Sequence, residues 1–151
     1  MKVHDTSCSC SAGAAGQTAP QGGQEVRLAD TCVWIELLQG TPTGQHYRRY
    51  FDDPDQVLVP TLVQYELCRW VLRERGEEVA NRVIAATRNS RIVPLNESTA
   101  LHAAALGLQF RLAAADALIY ATALHQQVPL VTCDAHFESL PGVEYRAKLA
   151  A

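Results

Sequence analysis

The sequence contains no CxxC pair, no HxxxH pair and no uninterrupted apolar run long enough to cross a membrane. Its five cysteines, Cys8, Cys10, Cys32, Cys68 and Cys133, are odd in number. That pattern argues against a secreted disulfide framework and against a standard zinc module, so a reducing cytoplasm is the expected compartment. A membrane span needs about 18 or more consecutive apolar residues, and the best stretch here is broken by Arg111 and Asp116. Strong charge of one sign is missing too: the formal net charge is −3, which identifies no partner. Lysine is scarce, two residues against eleven arginines. Arginine suits bidentate phosphate contacts, but a GC-rich genome also enriches Arg together with Ala. Aromatic residues make up only 7%, and Trp34 and Trp70 fall at apolar spacings, which points to core packing rather than base stacking.

What is present is a chain that can fold. At 151 residues and 48% hydrophobic it is long and apolar enough for one compact domain and is not a disordered polymer. The opening "MKVHDTSCSCSAGAAGQTAPQGGQ" lacks both the apolar core and the basic start of a secretory signal. His4, Cys8 and Cys10 do not amount to a metal-ligand set. Residues 1–25 are therefore expected to be a disordered extension and 26–151 the folded domain.

Short apolar strands are predicted at 26–30, 57–60, 91–95, 129–132 and 143–147. Helical spacing over 32–38, 43–51, 61–74, 77–89, 97–110 and 115–126 separates them. Strands that are apolar throughout, alternating with helices, fit an α/β fold in which a central parallel sheet of four to five strands is covered on both faces. In such sheets ligands sit beyond the carboxyl ends of the strands. Asp30 and Asp134 both follow strands directly.

Four acids stand out. Asp30 and Asp134 each precede a helical turn, where an isolated acid also serves as an N-cap or Asx-turn. Glu66 lies three residues after Val63 and four before Trp70, on or beside an apolar helix face. Asp116 shares a face with Leu112, Ile119 and Ala123, although it is also placed to cap a helix starting at Ala117. Should the first and fourth strands be neighbours, Asp30 and Asp134 come together at the sheet edge, and two helices add Glu66 and Asp116. Carboxylates gathered in one cleft repel and raise each other's pKa, a conflict that a bound cation removes. Carboxylate ligation suits Mg²⁺ or Mn²⁺ rather than zinc. Such a cation, with coordination positions open, suits phosphodiester hydrolysis, because it activates water and offsets phosphate charge. With the four acids set aside, the rest of the chain carries +1. Arg48, Arg49, Arg69, Arg73, Arg75 and Arg111 are available for polynucleotide phosphates but fit a solvated helix face equally well.

The segments "DTCVWIELL", "VPTLVQYEL", "AADALIYATAL" and "LVTCDAHFESLPGVEY" resemble, in order and neighbourhood, the four acidic motifs of PIN-domain ribonucleases, with VapC-type toxins of toxin–antitoxin systems the nearest likeness. The resemblance spans roughly residues 26–147. It implies a three-layer α/β/α fold and an endoribonuclease using one or two Mg²⁺ or Mn²⁺ ions. Asp30, Glu66, Asp116 and Asp134 match the family's catalytic, metal-holding acids in that order, and Thr31 and Thr132 match supporting hydroxyl positions. The resemblance further implies an RNA substrate, a VapB-like antitoxin that blocks the cleft, a homodimer through the apolar helices between 43 and 89, and operator DNA contacted only through the antitoxin. Cys133 departs from the pattern, standing where such proteins often carry a basic residue. So does the length before Val26, since such proteins usually start a few residues before the first acid; the resemblance thus implies that residues 1–25 are mis-assigned, with native translation starting near Val26 and, as Met1 is the only methionine, from a non-AUG codon. Two other functions fit the same motifs: a PIN nuclease in RNA processing or DNA metabolism without an antitoxin, and a non-catalytic binding module whose acids are structural caps.

Overall fold

The computed structural model describes residues 25–150; the expectations about the extension before Glu25 lie outside them. Five short strands, β1 (Arg27–Ala29), β2 (Val57–Pro60), β3 (Arg91–Val93), β4 (Leu130–Thr132) and β5 (Val143–Tyr145), form one sheet in the order β3-β2-β1-β4-β5. Every pairing is parallel, with Leu28 beside Leu58 on one side and beside Leu130 on the other. The helices are α1 (Thr31–Gln39), α2 (Pro42–Tyr47), α3 (Thr61–Arg75), α4 (Glu77–Thr87), α5 (Glu97–Phe110) and α6 (Ala114–Gln126). The fold is a three-layer α/β/α sandwich, as the alternation of strand and helix signals predicts. No single helix among the described residues is long and apolar enough to cross a membrane.

Burial follows position in the sheet. β2 and β4 are buried along their whole length, whereas the edge strands β3 and β5 are partly exposed. A central parallel strand is covered on both faces and must be apolar throughout, which is why "VLVP" and "LVT" carry no polar alternation. The core joins Leu28, Leu58, Val59, Leu130 and Val131 of the sheet to Val33, Val63, Leu67, Ile119 and Tyr120 of the helices. Trp34 is buried and packs edge to face on Phe51 at 4.7 Å, and Trp70 lies partly buried against the core. Both tryptophans pack as their spacing predicts.

The stretch 43–51, expected as one helix, divides into α2 and a 3₁₀ turn, Arg48–Phe51. Its start is held by Thr41, whose hydroxyl accepts from the Gly44 amide at 3.0 Å. Gly44 lies so close to α1 that a Cβ there would sit 2.2 Å from the Glu36 carbonyl oxygen, so only glycine permits this helix contact. From α2, the Tyr47 hydroxyl donates to the Thr132 carbonyl at 3.1 Å, tying α2 to the end of β4. The strand order reverses between β1 and β4. That reversal opens a crevice at their carboxyl ends, and the chain places Asp30 and Asp134 there.

Candidate metal centre

Asp30 is the residue at which β1 becomes α1. Extended backbone (φ −67°, ψ 157°) makes it the N-cap, and Oδ1 accepts from the Thr31 amide at 2.7 Å. The capping expectation is met, yet it occupies only one oxygen. Oδ2 accepts from the Thr132 hydroxyl at 2.7 Å and from the Cys32 thiol at 3.3 Å. The residue is only 5% exposed. Burial pushes its carboxyl up to about 6, against the three hydrogen bonds that lower it, and the Asp116 charge pushes further in the same direction.

Thr132, wholly buried at the end of β4, serves two acids with one hydroxyl. It donates to Asp30 Oδ2 and accepts from the Asp134 amide at 3.0 Å. Thr31 has a different charge: its hydroxyl donates to Glu66 Oε2 at 2.6 Å, linking the first turn of α1 to α3. The two threonines thus orient Asp30 and Glu66 respectively. Each acid thus takes a hydroxyl from another element, Asp30 in addition to the amide and thiol of the helix it caps.

Asp116 does not cap. The helix starts at Ala114 rather than Ala117, its N-cap is Ala113 with no side-chain bond, and Asp116 stands in the first turn. A carboxylate there is favoured by the free N–H groups of the helix start. Burial nevertheless raises its pKa, as do the Asp134 and Glu66 charges, while His136 opposes them. Asp134 caps a 3₁₀ turn, Ala135–Phe137, with Oδ1 accepting from the His136 amide at 2.9 Å.

His136 is the residue that motif reading passed over. Its Nδ1 lies 3.0 Å from Asp134 Oδ1 and 4.0 Å from Asp116 Oδ2, although the ring is largely exposed. Asp116, Asp134 and His136 can each offer one ligand atom within 4.8 Å of the other two. Asp30 and Glu66 fall outside this tight group but act on Asp116 electrostatically. The "DAH" spacing puts His136 one turn beyond Asp134, a local signal; its approach to Asp116 is tertiary and has no signal in the sequence. Cys133, unassigned by the motifs, donates its backbone N–H to Cys32 Sγ at 3.3 Å.

Buried or half-buried carboxylates that repel one another, with Asp30, Glu66 and Asp134 oriented by hydroxyl or amide donors, form a donor set that fits a hard divalent cation. A histidine at the exposed rim adds one nitrogen donor, which Mn²⁺ accepts more readily than Mg²⁺.

Solved structures with the same fold include a toxin–antitoxin complex from Klebsiella pneumoniae, 24% identical, TM-score 0.67, covering 78% of this chain and 95% of that one. VapC20 from Mycobacterium tuberculosis, a sarcin-ricin loop cleaving toxin, is 19% identical with TM-score 0.67, over 80% of this chain and 98% of that one. DNA-bound VapBC from Salmonella typhimurium is 14% identical with TM-score 0.66, over 82% and 98%. No curated protein matches the sequence. The family model for the PIN domain matches residues 27–143. That span runs from β1 to the start of β5 and encloses all four acids, and the chain belongs to the PIN domain family.

Proposed function

We propose that this protein is the toxin of a toxin–antitoxin pair, an endoribonuclease that cleaves RNA phosphodiester bonds with water and depends on Mg²⁺ or Mn²⁺. The observation that carries this reading is the electrostatic coupling of Asp30, Glu66, Asp116 and Asp134 at the crevice between β1 and β4. Asp116 and Asp134 would hold the ion, with Asp30 and Glu66 completing the acidic set. When bound, the cation supplies Lewis-acid activation of water and neutralises charge on the phosphate. The chain's own part is positioning: Thr132 fixes Asp30, Thr31 fixes Glu66, and the Asp134 turn presents His136 at the rim.

The partner side of the proposal is a VapB-like antitoxin, a homodimer, and operator DNA reached through the antitoxin. Similar folds occur in a toxin–antitoxin complex and in a DNA-bound VapBC assembly. Tyr65 and Leu72 on α3 are large, exposed apolar side chains beside Arg69 and Arg73, within the helices expected to form contacts. Leu101 and Leu108 on α5 are exposed as well.

The test is cleavage of total RNA by the purified protein with Mn²⁺, Mg²⁺ or chelator, alongside Asp116→Asn. Cleavage should require the cation and fall by at least roughly a hundredfold in the variant, on the scale of losing a principal charge-stabilising group. Circular dichroism should show the variant folded. Sequencing the new RNA ends would identify the target. Full activity in Asp116→Asn, or cleavage in chelator, overturns the reading.

A further inference from the structure

The proposed chemistry uses neither Cys32 nor Cys133, yet both lie against its acids. Cys32 Sγ is 3.3 Å from Asp30 Oδ2, 3.3 Å from Thr132 Oγ1 and 3.3 Å from the Cys133 amide nitrogen. β1 and β4 are directly paired, so the segments leaving them start one strand spacing apart, about 4.8 Å. A disulfide needs Cα atoms about 4.4–6.8 Å apart, and the 3.3 Å approach of Cys32 Sγ to the Cys133 amide nitrogen puts the two residues in direct contact. Cys32 is partly exposed and Cys133 buried. An oxidant therefore meets Cys32 first, with a second thiol waiting behind it.

We propose that Cys32 and Cys133 form a reversible oxidation site, closing an intramolecular disulfide beside Asp30 and Asp134. With hydrogen peroxide as the oxidant, the Cys32 sulfur attacks one oxygen and the O–O bond breaks. A sulfenic acid forms and one water leaves. The Cys133 sulfur then attacks the Cys32 sulfur and displaces that hydroxyl, which leaves with the Cys133 proton as a second water. Two electrons pass from the thiols to the peroxide, and a dithiol reductant reverses the change.

The consequence is local. A disulfide has no S–H, so Asp30 Oδ2 loses one of its two donors and keeps only Thr132. The bond also ties the first turn of α1 to the residue just before Asp134. Partners that orient metal-binding side chains change metal affinity by about 10- to 100-fold when altered. This effect on the acids rests on the metal reading above, whereas the disulfide itself does not.

The full chain, treated with peroxide, blocked with N-ethylmaleimide and digested with trypsin without reductant, separates the possibilities by mass. Trypsin leaves Cys32 in peptide 28–48, Cys133 in 112–146, Cys68 in 50–69, and Cys8 with Cys10 in 3–27. Peptides 28–48 and 112–146 should appear joined, and dithiothreitol should part them. Calorimetry should find Mn²⁺ binding roughly tenfold weaker in the oxidised protein, restored on reduction. Cys133→Ser should give no joined peptide and a Mn²⁺ affinity that peroxide does not change; the wild-type peptide map does not depend on that variant folding. Absence of the joined peptide, Cys32 linked to another cysteine, or unchanged Mn²⁺ affinity in the joined form overturns the proposal. If the reduced protein binds no Mn²⁺, the metal reading fails, and the peptide map alone decides the disulfide.

Discussion

Asp30 carries the clearest conflict between place and charge. Its carboxyl is buried and faces Asp116, and its pKa rises from 3.8 to about 6. The folded protein therefore holds a proton on Asp30 that the unfolded chain has already lost between those two values. With more protons bound in the native state, stability falls as pH rises through that window and levels off above it. That rise corresponds to about 3 kcal/mol over the whole window, and the raised Asp116 adds in the same direction. In chelator, urea unfolding should thus show the protein more stable near pH 5 than near pH 7. Asp30→Asn should flatten most of that slope; an unchanged slope in the variant would place its origin elsewhere. The identity of Asp30 as a strand-to-helix acid was readable from "LADT" because capping is local. Its burial, and the Thr132 hydroxyl that shares its second oxygen with the neighbouring Cys32 thiol, come from residues up to 102 positions away and had no local signal.

Among elements, the junction of α1 with α2 sets how the first acid is held. α1 ends at Gly40, whose left-handed φ of 65° lets its amide close on Glu36 and Leu37. The chain then turns back through Thr41 so that Gly44 lies on the Glu36 carbonyl. Gly44→Ala has no room for its methyl group and must push α2 off α1, so it should lower stability by about 1–3 kcal/mol. Because α2 carries Tyr47, whose hydroxyl bonds the Thr132 carbonyl, the variant should also loosen β4, seen as faster amide exchange there. A neutral effect in urea unfolding would show that the two helices separate freely. The helices themselves were legible as apolar spacing, but the Thr41 cap was not, because the spacing begins this helix at 43 rather than at Pro42. The division of 43–51 into α2 and a 3₁₀ turn was not, because it answers to the Trp34–Phe51 contact and the neighbouring sheet edge. The start of α6 at Ala114 lies one residue from the start read from spacing and three from the start that a capping Asp116 requires: an acid such as Asp116 signals a helix start, but not whether it caps the helix or stands in its first turn.

At the scale of the whole molecule, an acidic crevice makes folding and cation binding linked equilibria. Mn²⁺ that binds only the folded protein stabilises it by about 2.7 kcal/mol at a hundredfold excess over Kd. A thermal melt should therefore rise by several degrees with Mn²⁺, and less with Mg²⁺ if His136 contributes a nitrogen. Asp116→Asn should remove most of the rise, while melting no lower than wild type in chelator because one repelling charge is gone. A Tm indifferent to Mn²⁺ would count against the crevice as a cation site.

The order of strands and helices, their apolar character and the acids Asp30, Asp116 and Asp134 at element starts were determined by the sequence alone, because periodicity, capping and turn chemistry act over a few residues. Placement of β4 beside β1 belongs to the tertiary structure. So do the bond from Thr31 to Glu66, the approach of His136 to Asp116, and the meeting of Cys32 with Cys133. These are contacts between segments 20 to 101 residues apart. They form only when burial of the central strands closes the sheet, and no short-range preference in the chain encodes them.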